Sequence, residues 1–340
     1  MRSTIKVFFS LCLSLASIWA TASEVKVHKA IQFAAPDNIP LTLDIYVPQT
    51  GKTNYPVLVI YHGGGWLINN NSIMHDLSTA MASKGEFVVA NMNYRLLVDQ
   101  NNTVKMNQIV EDVFGGLLWV KDHIANYQGD PTRIAVTGDS AGGHLASMIV
   151  TRGRQLESDG FAGETLGFNP VYLPKGKTAE QIAKEDGLKV QAAIISYGVF
   201  DIEARARADF ETEKNNFWKL SNARARGLFG DGINVNTHEE FYRAISPLYA
   251  IPKASDYKLP PQFVHVGSAD KGTPPAMAEE YVNRLKAAGQ RVEYKVYPNK
   301  NHAYLDNGCN WANSCFDRDA LWPVEDMIAF LNKTLRPGGK

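Results

Sequence analysis

Short apolar runs alternate with helical stretches along most of this chain. Apolar residues recur at helical spacing between 104 and 126, and further helices are predicted at about 275–288 and 323–335. Alternating strands and helices predict the α/β class, with a mostly parallel central sheet flanked by helices. The predicted strands, rich in Val, Ile, Phe and Tyr, are 56–61, 87–92, 133–139, 190–197, 262–267 and 291–297.

Residues 24–47 differ from the later strands, because apolar and polar positions alternate there. Such alternation is typical of antiparallel strands, and Pro36-Asp37-Asn38 predicts the turn of a hairpin. Two other segments, 153–189 and 202–248, are polar and longer than simple connections need. Because long insertions in compact domains are usually functional, we expect both to be cap elements of a single domain. The alternative is a surface elaboration away from the site.

One turn joins the strand that ends at Asp139 to a helix predicted over 144–150. Ser140 stands in this turn, within the spacing Gly138-x-Ser140-x-Gly142. Glycine lets the strand and the helix approach closely enough to accommodate a strained serine, whose hydroxyl is then lifted above the sheet edge. The start of the helix would present free amides to an oxygen that becomes negative during attack. Ser140 is therefore the candidate nucleophile.

A second glycine cluster, His62-Gly63-Gly64-Gly65-Trp66, follows the strand that ends at Tyr61. Consecutive glycines let the backbone approach a substrate and turn several N–H groups toward one point. Together with the amide of Ala141, the three glycine amides predict an oxyanion hole for a tetrahedral acyl-transfer intermediate. We expect His62 to brace this loop and Trp66 to line the acyl pocket.

A serine nucleophile needs a histidine to take its proton and an acid to orient that histidine. His302 follows the last predicted strand and precedes the last helix, which places it at the sheet edge where Ser140 emerges. Asp270 ends the preceding strand, and the order Ser140, Asp270, His302 is the one that an α/β-hydrolase requires. Asp201, after the strand that ends near Tyr197, is the rival acid.

The other histidines and Asp139 have less direct positions. His144 lies on the helix that follows Ser140, and His265 lies within an apolar strand, so both are predicted to be packed in the core. Asp139 adjoins the serine and points elsewhere, which indicates a structural role. The remaining histidines have peripheral contexts: His28, His75, His123 and His238.

The first 22 residues have the pattern of a secretory signal peptide. A basic start precedes an apolar run from Val7 to Trp19, and Ala20-Thr21-Ala22 supplies the small residues of a cleavage site. We therefore expect an exported protein, periplasmic or secreted, without a stable membrane anchor. In an oxidising compartment the two remaining cysteines, Cys309 and Cys315, are predicted to form a disulfide that closes a small loop just after His302.

The charge balance gives no support for a polyanionic partner. The chain carries 35 basic and 35 acidic residues, and loss of Arg2 and Lys6 with the signal peptide leaves 33 against 35. A near-neutral chain has no electrostatic footprint for nucleic acid or a charged membrane surface. Two thiols without further ligands at metal-binding spacing do not make a metal site. No metal or organic cofactor is implied.

Five features together resemble the α/β-hydrolase esterases related to hormone-sensitive lipase, in particular bacterial carboxylesterases and acetyl or feruloyl esterases. The resemblance runs over about residues 40–335 and implies a serine carboxylesterase that acts on a small-molecule ester. Ser140 would attack the ester, His302 would shuttle the proton and Asp270 would support His302, with an acyl-enzyme intermediate. Tyr94 is assigned with Trp66 to substrate binding. The features are His62-Gly63-Gly64-Gly65-Trp66, Asn93-Tyr94-Arg95-Leu96, Gly138-Asp139-Ser140-Ala141-Gly142-Gly143, Asp270 and His302.

Three other functions remain open alternatives. A peptidase of this fold would use the same site motif, although oligopeptidases of this kind usually carry an additional propeller domain. A non-catalytic binding protein would retain the fold, but all candidate catalytic residues are present. A lipase would need an apolar lid, whereas 202–248 is rich in charge, which favours a short-acyl substrate. The charged residues are Glu203, Arg205, Arg207, Asp209, Glu211, Glu213 and Lys214.

Overall fold

The computed structural model describes residues 23–336, and within them eight strands form one sheet. The spatial order is β1-β2-β4-β3-β5-β6-β7-β8. The strands are β1 Val25–Ala34, β2 Leu41–Pro48, β3 Tyr55–Tyr61, β4 Val88–Met92, β5 Gly129–Asp139, β6 Ala192–Ser196, β7 Gln262–Gly267 and β8 Val292–Tyr297.

The pairing of the strands explains why one edge of the sheet collects the candidate site. β1 and β2 form the predicted antiparallel hairpin, and β2 pairs antiparallel with β4. All later pairs, from β4 with β3 to β7 with β8, are parallel. Their carboxyl ends therefore meet at the same edge of the sheet, where ligands of open α/β sheets bind. The predicted α/β-hydrolase fold with a mostly parallel sheet is confirmed.

Helices cover both faces of the sheet. α1 and α11 pack on each other against one face, and α3 and α4 pack together on the other, where α9 also covers β7 and β8. The helices are α1 His75–Gly85, α2 Asp99–Asn102, α3 Met106–His123, α4 Ala141–Arg152, α5 Ala179–Lys184, α6 Ile202–Arg205, α7 Asn216–Leu220, α8 Glu239–Ala244, α9 Pro275–Ala287, α10 Phe316–Asp319 and α11 Leu321–Leu335.

The apolar pattern predicts the long helices and strands within a few residues, but it does not predict α1. The buried residues of α1 include Ser78, Ala80 and Ala82, whose small side chains give little contrast between the two faces of the helix. These small residues let α1 lie close to β4 and α11. Tertiary packing, rather than amphipathic periodicity, therefore specifies this helix.

The two long insertions occupy different places. Segment 153–189 contains α5 and rests on α3, where the amide of Asn169 donates to the carboxylate of Glu111 at 3.3 Å. Segment 202–248 contains α6, α7 and α8 and crosses the glycine-rich loop, because the ring of Phe217 lies against Gly65. The role of both segments as caps remains a prediction.

Export is predicted from residues that the structure does not describe. The proposed signal peptide, residues 1–22, lies outside the described range. Within residues 23–336, no helix combines the length and the apolar character that a bilayer crossing requires.

Candidate active site

Ser140 occupies the sharp turn between β5 and α4. Its backbone has φ 51° and ψ −114°, a conformation that a non-glycine residue adopts at a cost of about 1–3 kcal/mol. Hydrogen bonds hold the turn on both sides: Ser140 N donates to Ser196 O at 3.0 Å, and His144 N donates to Ser140 O at 3.1 Å. The predicted strained serine between a strand and a helix is present.

The glycines around Ser140 are required by close backbone packing. A Cβ at Gly138 would overlap the backbone of Gly142, and a Cβ at Gly142 would overlap the carbonyl oxygen of Tyr61. A Cβ at Gly143 would stand 2.9 Å from the Cα of Gly198. Any larger residue would push α4 away from the sheet, so glycine alone permits this approach.

The structure brings Ser140, His302 and Asp270 together. His302 Nε2 lies 3.0 Å from Ser140 Oγ, and His302 Nδ1 lies 2.7 Å from Asp270 Oδ2. The His302 side chain is 12% exposed and that of Asp270 is fully buried. The candidate nucleophile, base and acid thus form one continuous chain of hydrogen bonds, and Ser140 at its outer end is partly exposed.

Asp270 is held by a loop that the sequence motifs do not reveal. Its Oδ1 accepts hydrogen bonds from the amides of Gly272 at 2.8 Å and Thr273 at 2.9 Å. The Thr273 hydroxyl lies 2.9 Å from the carbonyl oxygen of Tyr197, 3.1 Å from Asp270 Oδ2 and 3.3 Å from His302 Nδ1. Thr273 is therefore a positioning residue for both the acid and the base.

The rival acid, Asp201, serves another purpose. Its Oδ1 accepts from the amide of Ala204, at the start of α6, and its Oδ2 accepts from the Tyr249 hydroxyl at 2.9 Å. These contacts tie the start of segment 202–248 to a neighbouring turn. The structure thus brings Asp270, and not Asp201, to His302.

Two further histidines are core residues, as predicted. His144 is fully buried, and its Nε2 lies 2.8 Å from the carbonyl oxygen of Ile245. His265 lies between the hydroxyls of Ser196 at 2.9 Å and Tyr304 at 2.6 Å. Burial lowers the pKa of the first histidine to about 4 and of the second to about 3, so both are neutral and serve packing.

The glycine-rich loop presents free amides beside Ser140. Gly64 has φ +119° and Gly65 has φ +60°, both in the region that glycine tolerates best. Within residues 23–336, the amides of Gly64, Gly65 and Ala141 donate to no other group. Gly63 differs from them because it packs directly on the carboxylate of Asp139. The loop thus offers N–H donors for a developing oxyanion.

Trp66 and Tyr94 lie behind this loop and not on an open surface. Trp66 is 1% exposed and packs edge-on against His144 and Phe210. Tyr94 is 4% exposed, stacks on the ring of His62 and donates from its hydroxyl to His62 O at 2.6 Å. Burial lowers the pKa of His62 to about 4, so this histidine is neutral. The contacts of all three residues brace the loop from below.

A second carboxylate lies directly beneath the site. Asp139 is 1% exposed, and burial raises its pKa to about 6, although the nearby His302 opposes that rise. Burial and the charge of Asp139 raise the pKa of Asp306 well above its usual range. Two carboxyl groups in one buried place cannot both ionise easily, so Asp306 is the one that keeps its proton. Asp306 was not among the sequence-predicted residues, because no motif marks it.

The predicted disulfide joins Cys309 to Cys315, and the loop that it closes supports the backbone behind His302. The Ser314 hydroxyl donates to His302 O at 3.0 Å, and Asn310 Nδ2 donates to Ala303 O at 2.7 Å. Neither polar residue stood out in the sequence, since their partners are backbone atoms fixed only by the fold.

A cavity of about 720 Å³ opens between segment 202–248 and the disulfide loop. Within residues 23–336, no cluster of three or more His, Cys, Asp or Glu side chains is arranged to hold a metal ion. The cavity is lined by Arg205, Ala208, Asp209, Phe210, Lys214, Asn215, Asn216, Phe217, Lys219, Leu220 and Trp311.

Comparisons with known proteins agree with this geometry. The chain is 26% identical over 263 residues to the carboxylesterase NlhH of Mycobacterium tuberculosis, an alignment that covers 77% of this chain and 70% of that protein. It is 30% identical over 251 residues to the probable carboxylic ester hydrolase LipM of the same organism. That alignment covers 73% of this chain and 49% of LipM.

Solved structures share the fold. A butyrate-bound esterase of Thermogutta terrifontis has a TM-score of 0.62 at 23% identity, covering 94% of this chain and 97% of that one. A truncated carbohydrate esterase from gut microbiota has a TM-score of 0.64 at 21% identity, covering 94% and 98%. The resemblance to esterases related to hormone-sensitive lipase is confirmed. The BD-FAE family model matches residues 43–285, and the chain belongs to that family.

Proposed function

We propose that this carboxylic ester hydrolase is a serine esterase that cleaves short-acyl or aryl esters through an acyl-enzyme intermediate. One observation carries the proposal: His302 lies 3.0 Å from the Ser140 hydroxyl on one side and 2.7 Å from Asp270 on the other. A serine hydroxyl is a weak nucleophile until such a base takes its proton. The buried carboxylate of Asp270 fixes the orientation of the ring and stabilises the imidazolium that forms.

Acylation follows from this arrangement. Ser140 Oγ attacks the ester carbonyl carbon while His302 Nε2 takes the hydroxyl proton. The carbonyl oxygen becomes an oxyanion and accepts hydrogen bonds from the amides of Gly64, Gly65 and Ala141, which donate to no other group in residues 23–336. The C–O bond to the alcohol then breaks, and the leaving oxygen takes the proton from His302.

Deacylation repeats the steps with water. His302 takes a proton from water, which attacks the acyl carbon of the ester on Ser140. Collapse of the second tetrahedral intermediate returns the proton to Ser140 Oγ and releases the carboxylic acid. The same base and the same amides therefore serve both halves of the reaction.

Short acyl groups suit the surroundings of the serine. Segment 202–248 places charged side chains, among them Arg205, Asp209 and Lys214, around the cavity next to the site. Such a surface does not favour insertion into a lipid phase. The Thermogutta terrifontis esterase that shares this fold has been obtained with butyrate and with propionate bound.

Export completes the proposal. The first 22 residues have signal-peptide composition, and the disulfide between Cys309 and Cys315 is of the kind that persists in an oxidising compartment. The mature enzyme would thus work in the periplasm or outside the cell.

The test compares wild type with Ser140→Ala on 4-nitrophenyl esters from acetyl to palmitoyl. We expect turnover that peaks at short chains and falls by at least about 10⁴-fold in the variant, since removal of a triad nucleophile leaves only the oxyanion hole and binding. Ser255→Ala removes an exposed serine hydroxyl and is the matched control, with unchanged turnover.

Labelling gives a second readout. Paraoxon should add a diethylphosphoryl group to the peptide that contains Ser140, detected by mass spectrometry. Turnover that survives Ser140→Ala, or a label on another residue, would overturn the proposal. An acetyl 4-nitroanilide measured in parallel separates ester from amide hydrolysis.

A further inference from the structure

The cavity beside the site contains an arginine without an anionic partner. Arg205 lines this cavity, and its guanidinium makes no hydrogen bond or ion pair with any group in residues 23–336. It lies over the ring of Phe210, 5.8 Å from the ring centroid. Burial lowers the pKa of Arg205, with no carboxylate to offset the loss of solvation. The guanidinium stays charged, because its ordinary pKa is far above neutrality.

The neighbouring charges do not neutralise Arg205. Lys214 and Asp209, which also line the cavity, pair with each other at 2.7 Å. Lys219 is exposed and adds a further positive charge at the mouth. The lining thus carries three cationic side chains against one carboxylate, and the partly buried cation is the one without a partner.

Flat apolar side chains complete the walls. Trp311 belongs to the disulfide loop and forms part of the cavity wall. Its large apolar side chain is 74% exposed. Phe217 and Phe210 face the cavity from segment 202–248. An exposed tryptophan beside two phenylalanines forms a surface on which a planar ring can stack.

Two contacts connect the walls of the cavity to the loops around Ser140 and His302. The ring of Phe217 would stand 3.2 Å from a Cβ at Gly65, so it lies directly on the loop proposed to bind the oxyanion. The Trp311 loop is bonded to the backbone of His302 through Ser314 Oγ at 3.0 Å. A substrate bound at Ser140 therefore has the cavity within reach of one of its two halves.

We propose that this cavity binds a carboxylate carried on an aromatic ring of the substrate ester, with Arg205 as the ion-pair donor and Trp311 and Phe217 as the stacking surface. This inference rests on the proposed esterase function and extends it to the class of substrate. A guanidinium in a partly desolvated position forms a bidentate bond to a carboxylate and discriminates against a neutral group in its place.

The experiment uses two pairs of esters that differ only in charge. 4-Acetoxybenzoate and 4-acetoxybenzamide place the group on the alcohol half. Monomethyl terephthalate and methyl 4-carbamoylbenzoate place it on the acyl half. For each pair the measured quantity is the ratio of kcat/KM, anionic over neutral, compared between wild type and variants so that the intrinsic reactivity of the esters cancels.

In at least one pair, Arg205→Gln should lower the ratio about ten-fold, because the anionic ester loses one charge-assisted bond that the neutral ester does not form. Arg205→Lys should retain part of the preference. Lys219→Gln, which removes an exposed cation from the same lining, is the matched control and should change the ratio less than two-fold. Trp311→Ala should weaken both members of the pair, whereas Trp322→Ala, which removes an exposed tryptophan outside the lining, should weaken neither.

Two outcomes overturn the inference while leaving the esterase function intact. One is an anionic-to-neutral ratio that Arg205→Gln does not alter in either pair. The other is wild type that hydrolyses phenyl acetate but none of the four ring esters. If wild type does not hydrolyse phenyl acetate, the proposed esterase function itself is contradicted. Calorimetric titration of 4-hydroxybenzoate into wild type and Arg205→Gln tests the site without catalysis, and we expect the Kd of the variant to be at least ten-fold weaker.

Discussion

Two adjoining regions of this molecule are built in opposite ways. In the reaction region, formed by Ser140, His302 and Asp270, the side chains are bonded to one another, that of His302 is 12% exposed and that of Asp270 is fully buried. In the cavity region, lined by segment 202–220 and Trp311, large apolar side chains are exposed. Leu220 is 64% exposed and Trp311 74%, and the guanidinium of Arg205 has no hydrogen-bond or ion-pair partner among the described residues.

The difference shows how chemistry and selectivity are divided. Residues in the reaction region are fixed by backbone contacts that allow no change of volume, so nearly any substitution there disturbs the whole arrangement. In the cavity region, Leu220 and Trp311 project into solvent, and each can be replaced without moving its neighbours. On the two proposals above, tight packing fixes the groups that carry out the reaction, and the loosely packed cavity lining selects the substrate.

Of the substitutions in the reaction region, Gly142→Ala is expected to cause the largest loss of stability and turnover. The added Cβ would overlap the carbonyl oxygen of Tyr61, so α4 must move off β3 and carry Ser140 with it. We expect the free energy of unfolding to fall by about 3 kcal/mol and turnover to fall about a thousand-fold. Urea unfolding and ester hydrolysis measure the two effects.

Gly51→Ala is the control for that substitution. Gly51 has φ +76° and no atom within 4 Å of its would-be Cβ, so the variant should lose only about 1 kcal/mol, from backbone strain, and keep full turnover. Equal effects of the two substitutions would contradict the role assigned to the contact between α4 and Tyr61.

The cavity region should respond to removal of the disulfide with a smaller effect. Replacing Cys309 and Cys315 by serine opens a ring of few residues, for which loop-closure entropy gives about 2 kcal/mol of unfolding free energy. Turnover of phenyl acetate should change less than three-fold, because Asp270 still orients His302. Urea unfolding and kinetics, each with and without dithiothreitol, measure both quantities. A loss of turnover above a hundred-fold would place the loop within the reaction region instead.

A pH-dependent prediction concerns the other insertion, 153–189, which rests on Glu111. Burial raises the pKa of Glu111 from its ordinary value near 4.5 to about 7. The folded state therefore holds this proton more tightly than the unfolded state, and stability falls as the pH rises from about 4.5 to 7 and then stays level. Glu111→Gln removes that cost. With allowance for partial solvent screening, the variant should be about 2 kcal/mol more stable than wild type at pH 8.

At pH 4.5 the same variant should differ little from wild type, and kcat should be unchanged at both values, since Glu111 lies on α3 away from Ser140. Urea unfolding at the two pH values is the measurement, and Glu240→Gln, which replaces an exposed glutamate on α8, is the control. A stability difference that does not depend on pH would contradict the titration.

The smallest effect is expected from a substitution of Thr273, which lies at the edge of the reaction region. Thr273→Val keeps the shape of the side chain and removes the hydroxyl that lies between Asp270, His302 and the carbonyl of Tyr197. We expect kcat to fall about ten-fold with KM unchanged, because the ring loses orientation and the substrate loses no contact. Thr273→Ser should restore kcat. An equal rise in KM would indicate a binding role.

Sequence alone predicts the reaction region well because its residues stand at the ends of strands. Ser140, Asp270 and His302 follow three different apolar runs, and parallel strands end at one edge. The disulfide follows in the same way from spacing and compartment. Apolar periodicity succeeds where one face is large and buried and fails for α1, whose buried face is made of small residues.

What sequence does not predict depends on contacts between distant parts of the chain. The aromatic character of Trp66 and Tyr94 predicts substrate binding, but it does not show that both side chains are buried below the loop, since that depends on His62, His144 and Phe210. Thr273, Ser314 and Asp306 carry no motif, since their partners are brought near by the fold. The cavity around Arg205 arises only where segment 202–248 meets the disulfide loop.

The hydrogen bond between Ser140 and His302 spans 162 positions of the chain, and this separation has a consequence in time. Synthesis and folding proceed from the N-terminus, so the nucleophile and its turn emerge from the ribosome long before the base. Until β7 and β8 have been added to the sheet edge, Ser140 has no proton acceptor. On the proposed mechanism, a partly synthesised chain is therefore unable to hydrolyse an ester.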